Sequence, residues 1–161
     1  MVDSRGFVFV MGSNEYGQLG LGKDADQNVF EPTQVPAFSD CAKETACGED
    51  FTLFLSISGL IFSTGRNDMG QLGLGTQVDQ DSCAVIDSIA SVAIRKIIAG
   101  SFAAAISEDD ESLYIWGHSE TCLQPNKLGL GPITQISIGH NFACALTREK
   151  GLYTWGSNSQ G

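Results

Sequence analysis

Gly17-Gln18-Leu19-Gly20-Leu21-Gly22-Lys23-Asp24 comes nearest to a reactive site in this sequence, because clustered glycines and a lysine can cradle phosphate. The pattern then fails. No Gly-Lys-Ser/Thr follows, no helical apolar period opens behind it, and the second copy ends Gly75-Thr76 without a lysine. A repeated turn explains the segment better than a nucleotide cradle.

His118 and His140 are the only histidines, and neither has a His or Cys companion at metal-ligand spacing. Both read as polar loop or strand-end residues rather than as a general base. The serines form no Gly-x-Ser-x-Gly elbow. Cys41, Cys47, Cys83, Cys122 and Cys144 are an odd set without a C-x-x-C pair, so they read as reduced thiols, packed as small hydrophobes inside a cell. Carboxylates crowd Glu108-Asp109-Asp110-Glu111 at a hairpin tip, where a solvated loop with ordinary pKa values is expected. No catalytic, cofactor-binding or metal site emerges. The chain reads as a non-enzyme.

The formal net charge of −10 speaks against direct binding to nucleic acid or to anionic membranes, and suits solubility or a basic protein partner. A hydrophobic content of 42% against 17% charged residues suits a folded chain. No apolar run reaches the roughly 18 residues a membrane helix needs, and Met1-Val2-Asp3-Ser4-Arg5 does not open a signal peptide.

The elements that would position these residues repeat. Segments 48–65, 100–117 and 139–156 each run 17 residues from an opening glycine (Gly48, Gly100, Gly139) to a closing one (Gly65, Gly117, Gly156). Each holds an apolar run, a turn and a second apolar run, as in Phe51-Thr52-Leu53-Phe54-Leu55-Ser56-Ile57 and Leu60-Ile61-Phe62-Ser63-Thr64. β-branched, aromatic and small residues bounded by glycine are strand chemistry. The middle copy has one residue fewer before its first strand and one more in its turn. Trp116 and Trp155 precede closing glycines at matching positions and read as core packing.

A second element follows the closing glycine. It runs Gly12-Ser13-Asn14-Glu15-Tyr16-Gly17-Gln18-Leu19-Gly20, then Gly65-Arg66-Asn67-Asp68-Met69-Gly70-Gln71-Leu72-Gly73. It reads as a turn scaffold, with leucine anchoring the core and the glutamine amide bonding backbone. It starts again at Gly156-Ser157-Asn158-Ser159-Gln160-Gly161. The third copy is replaced by His118-Ser119-Glu120-Thr121-Cys122-Leu123-Gln124-Pro125-Asn126. Lys127-Leu128-Gly129-Leu130-Gly131 is then either a displaced remnant or the strand after Pro125. Segments 23–36 and 76–87 read as variable surface loops.

Closing glycines Gly12, Gly65, Gly117 and Gly156 lie 53, 52 and 39 residues apart, and the shortening falls between Gly117 and Gly139. About four short strands per period, repeated radially, describe an all-β propeller blade. The Gly-x-Asn-x-x-Gly-Gln-Leu-Gly pattern, the proline of Glu31-Pro32-Thr33-Gln34-Val35 and the Leu-Tyr-x-Trp-Gly strand resemble the regulator-of-chromosome-condensation repeat, over essentially the whole chain. The resemblance implies repeats near 7–59, 60–112 and 113–151, with a fourth starting at 152–161. It also implies about three four-stranded blades of a propeller that typically has seven. The function implied is a non-enzymatic protein-interaction scaffold without cofactors, cytoplasmic or nuclear. The alternatives are guanine-nucleotide exchange on a Ran-like small GTPase, or a regulatory module of a larger kinase, ubiquitin ligase or ciliary protein. Seven such repeats need roughly 360 residues, so the native protein should show an intact mass well above that of this chain; equality would make self-assembly the means of covering its sheet edges.

Overall fold

A computed structural model describes residues 1–36 and 41–159. The last two residues of the restarted motif, Gln160 and Gly161, lie outside the described residues. The described chain is built of strands, and its only helical piece is a single 3₁₀ turn at Asp87–Ile89.

Four antiparallel sheets follow one another. The first pairs β1 (Phe9–Ser13) with β2 (Asn28–Gln34). Sheet two orders β3 (Ala42–Cys47), β4 (Phe51–Ser56), β5 (Ile61–Gly65) and β6 (Gln80–Val85). Sheet three orders β7 (Ile94–Ala99), β8 (Ala103–Ser107), β9 (Leu113–Trp116) and β10 (Asn126–Leu128). Sheet four holds β11 (Ile133–Ile138), β12 (Phe142–Thr147) and β13 (Leu152–Gly156). β7 lies against both β3 and β11, so the first strands gather together while β6 and β10 form the far margins of their sheets.

Two expectations need correction. Segments 23–36 and 76–87 are not loops throughout, since β2 and β6 lie within them. Their side chains are mostly exposed or half-buried because an outermost strand is paired on one side only. That position tolerates Pro32, which has no N–H to donate. Lys127-Leu128 belongs to β10, paired to Tyr114 and Leu113, so the strand reading holds for 127–128, and 129–131 lie beyond the strand.

The core lies between sheets, not within one. β4 is buried along its whole length because both of its faces are covered. Phe54 packs toward the first sheet with Val8, Val35 and Ala42, whereas Phe51, Leu53 and Leu55 pack toward sheet three with Ile97, Ala103, Ala105 and Trp116. Ala104 and Ile106 turn the other way, toward Ile133, Ile136 and Ala145. Small residues in β8 let its neighbours approach on both faces.

The three first strands share a bulge at one position, between Ala42 and Glu44, Ile94 and Lys96, and Ile133 and Gln135. A bulge adds local twist, which suits a stack of rotated sheets. Glu44 also reaches across a seam, and its Oε2 accepts the amide of Ile97 at 3.2 Å. That contact occupies a donor on the exposed edge of β7.

Ala104 is fully buried between two sheets. Ala104→Leu should therefore destabilise by about 1–3 kcal/mol through overpacking, read as a lowered urea midpoint; an unchanged midpoint would mean that the seam has slack.

Candidate functional site

The glycine-rich element forms the same turn twice. Asn14 Oδ1 accepts the Leu19 amide at 3.0 Å, and Asn67 Oδ1 accepts the Leu72 amide at 2.9 Å. The Asn14 amide donates to Asp26 O, and that of Asn67 to Thr76 O and Val78 O, tying each turn to the loop that leads into the following strand. Gln18 Oε1 takes the Tyr16 amide at 2.9 Å, and Gln71 Oε1 takes that of Met69 at 2.8 Å. Gly17 and Gly70 donate to Asn14 O and Asn67 O, and Gly20 and Gly73 donate to the carbonyls of those glycines. Gly70 has φ +78°, and a Cβ there would lie 2.6 Å from Leu123 Cδ2 and 2.8 Å from Leu123 Cα. Both the dihedral and the space require glycine.

Held this way, the turn has carbonyls to spare for the next sheet. Gln18 O accepts Thr52 Oγ1 at 2.7 Å, and Gly17 O accepts Thr64 Oγ1 at 2.8 Å. In the next repeat Gln71 O accepts the Trp116 indole Nε1–H at 2.9 Å, and Leu72 is fully buried between the sheets. The closing glycines provide the seat. A Cβ on Gly65 would lie 3.1 Å from Gln18 Cα, and one on Gly117 would run into Gln71 Cα. Gly12, at the matching place in β1, is exposed with open space around it.

The opening glycines shape the other turn. Gly48 and Gly139 donate to Phe51 O and Phe142 O at 2.8 Å, and Gly100 donates to Phe102 O at 2.9 Å, one residue nearer in sequence. The following turn compensates. Ser56 and Thr147 donate to carbonyls four residues on, while Ser107 reaches Ser112, five on.

Trp155 packs against the core between sheets three and four but is less covered than Trp116, which is fully buried. It is half-buried, and its indole nitrogen is shielded from solvent without an acceptor among the described residues.

The acidic hairpin tip is also not a plain solvated loop. Lys127 Nζ lies 2.6 Å from Asp110 Oδ2, and with the hydroxyls of Ser107 and Ser112 it holds that carboxyl well below the usual range. Glu111 pairs with Arg148 and lies 4.0 Å from Arg95, which donates to Ile133 O at 2.7 Å across the seam. Asp68 is lowered too, since the Gln71 amide and Arg66 outweigh partial burial, which works the other way. Sequence missed Lys127 and Arg148 because they are far away along the chain, Lys127 on another strand of the same sheet and Arg148 on the next sheet.

His118 lies in the loop after β9 with its pKa lowered by burial, and its Nε2 is 3.2 Å from Cys122 Sγ. His140 Nδ1 is 2.6 Å from Glu49 Oε1, joining the β3–β4 and β11–β12 turns. All five cysteines are free. Burial pushes the Cys83 thiol up to about 12, but Cys47 is exposed rather than packed. Among the described residues, no three His, Cys, Asp or Glu side chains are placed to hold a metal ion.

The alternation of the strands brings the β1–β2 loop, the β3–β4 turn and the β5–β6 loop out at one end. Glu15, Asp24, Asp26, Glu49, Asp50, Asp68 and Asp79 stand there against Lys23 and Arg66. Arg66 bridges Asp50 at 3.3 Å and Asp68 at 2.6 Å, and lies over the Tyr16 ring. That end can attract a basic surface.

Asn67→Ala should cost about 1–3 kcal/mol, because the buried Leu72 amide loses its acceptor; chemical denaturation measures it. Trp116→Ala should cost roughly 3–5 kcal/mol, and near-zero cost would remove Trp116 from the seam. The lowered folded pKa of Asp110 gives stability that is present above the ordinary carboxylate range and lost as pH falls. Asp110→Asn should therefore flatten the stability profile below about pH 4.

The repeats match known ones. The Regulator of chromosome condensation (RCC1) repeat matches residues 5–55 and 58–106, and a second description of that repeat matches 42–71 and 133–161. The chain is 32% identical over 133 residues to the X-linked retinitis pigmentosa GTPase regulator of Homo sapiens, covering 81% of this chain and 12% of that protein. It is 28% identical over 170 residues to the Regulator of chromosome condensation of Mus musculus, covering 97% of this chain and 40% of that one. The chain thus spans less than half the length of these relatives. Human WBSCR16 superposes with a TM-score of 0.82 at 27% identity, over 95% of this chain and 43% of that structure. Prp20p from Saccharomyces cerevisiae superposes at 0.83 with 21% identity, over 99% and 43%. With its repeats matched in sequence and its sheets in space, the chain belongs to the Regulator of chromosome condensation (RCC1) repeat family of β-propellers.

Proposed function

We propose that this chain is a non-enzymatic protein-interaction scaffold, a set of propeller blades whose loop ends bind other proteins. One observation carries the reading: the repeated asparagines, glutamines and glycines, with Trp116, spend their polar groups on the turn and on the next sheet. What remains for recognition is the loops, and the carboxylate-rich end beside Arg66 is the strongest feature there. It favours a partner with a basic surface. The free cysteines agree with a reducing, intracellular setting, cytoplasmic or nuclear.

A second reading is guanine-nucleotide exchange on a Ran-like small GTPase, favoured by the 32% identity to a protein called a GTPase regulator. Exchange needs no catalytic acid or base, only a face that displaces the nucleotide and its magnesium.

Purified protein should leave ATP, GTP and simple esters unhydrolysed, and should bind its partners more weakly with added salt. Asp24→Lys with Asp26→Lys should release those partners while near-UV circular dichroism is unchanged. Turnover at enzyme-like rates would overturn the scaffold reading. Stopped-flow release of labelled GDP decides the second: no acceleration removes it.

A further inference from the structure

The seam between sheets three and four lacks a part that the two preceding seams possess. At each of those, a Gly-Gln-Leu-Gly turn covers the closing glycine of the next sheet, so Gly65 and Gly117 are buried, with Gln18 Cα and Gln71 Cα over them. The matching Gly156 is exposed, and the three atoms nearest to the position its Cβ would take belong to Asn141 and Phe142 of its own sheet. Leu72 fills the earlier core, alongside Ile86 and Trp116. The later core has Leu128, Leu130 and Trp155, but Leu130 follows β10, and no residue of the loop between Gly117 and β10 belongs to it.

The cause lies in the third repeat, where the spacing from Gly117 to Gly139 is 22 residues against 35 from Gly65 to Gly100. The short loop that remains turns backward. Gly117 donates to Cys122 O at 2.8 Å, and Leu123 rests on Gly70 with its carbonyl accepting the Gly75 amide at 2.9 Å. Nothing from this loop reaches the indole nitrogen of Trp155. That group is shielded from water and has no acceptor among the described residues, whereas the equivalent nitrogen of Trp116 donates to a turn carbonyl. A shielded donor without an acceptor is rare enough in native proteins to need a reason.

We propose that the seat at Trp155 and Gly156 receives a glycine-flanked leucine turn from a partner protein, with one turn carbonyl accepting the Trp155 indole N–H. The occupant's chemistry is set by the two filled seats of this same chain: a tight turn with glycines for close approach, one leucine for the core and a free carbonyl. A second copy of the chain is a poor donor, because Leu19 and Leu72 are already buried in their own seams. The seat continues the seam already formed by sheets three and four, so a docked turn would extend an existing core. The proposal rests on the chain working by binding proteins, but uses the apolar seam at sheet four rather than the carboxylates, which stand at the same end.

The test follows the two indole N–H resonances of tryptophan-labelled protein, assigned by the loss of one in Trp155→Phe. Acetyl-Gly-Gln-Leu-Gly-Leu-Gly-amide should move the Trp155 resonance downfield in a saturable way and leave that of Trp116 in place. The same peptide with aspartate for its first leucine should move neither. Trp155→Phe, which keeps an aromatic ring but loses the pyrrole and its donor, should weaken peptide binding about fivefold by fluorescence polarisation. Several results would overturn the proposal: no response at millimolar peptide, equal movement of both resonances, or a Trp155 signal already shifted and unresponsive because another part of the protein fills the seat. A failed titration with partner recovery still lost in Asp24→Lys/Asp26→Lys would remove the seat and leave the scaffold reading standing.

Discussion

Sheets two and three each depend on a turn of the sheet before, which stabilises itself with its own side chains and lends them its carbonyls. Asn67 and Gln71 occupy amides inside their own turn, which leaves Gln71 O free for the Trp116 indole. Were the side chains to reach outward instead, the turn would lose its shape and the seam its fastening. Leucine at the turn's centre adds apolar contact at the place where the hydrogen bond fixes register. A sheet of four short strands has two apolar faces and cannot bury either alone. The turn therefore supplies what the sheet lacks.

The blade pattern was legible because its signals are local. Glycine frames of constant length marked the β4–β5, β8–β9 and β12–β13 hairpins, and the middle copy's compensation reappears as Gly100 donating to Phe102 and Ser107 to Ser112. The outer strands were hidden. Asn28–Gln34 carries a proline and little apolar content, because a margin strand need satisfy only one neighbour. Contacts between sheets were hidden for another reason: Thr52, Ala103 and Ala143 occupy matching positions, so the bond from Thr52 to Gln18 O has no counterpart that repetition could reveal. The pairs Glu49 with His140 and Glu44 with Ile97 also join residues far apart in sequence.

Charge follows the same division between local pattern and assembled partner. Read alone, Glu108-Asp109-Asp110-Glu111 is a solvated acidic tip. Assembled, Glu108 and Asp109 remain exposed while Asp110 holds Lys127 of the same sheet and Glu111 reaches Arg148 of the next. Such exposed pairs contribute little individually. Their value is positional, since they fix how one turn lies against its neighbour.

The seams and the sequence repeats are out of step. The two first repeat matches part between residues 55 and 58, inside the turn that joins β4 to β5. Every full sheet thus takes its first two strands from one repeat and its last two from the next. Loss or duplication of one whole repeat by recombination would leave no half-sheet behind, because the strands on either side of the junction pair as before. A propeller built this way could change its number of blades in a single genetic event, with each intermediate already able to close its own hairpins.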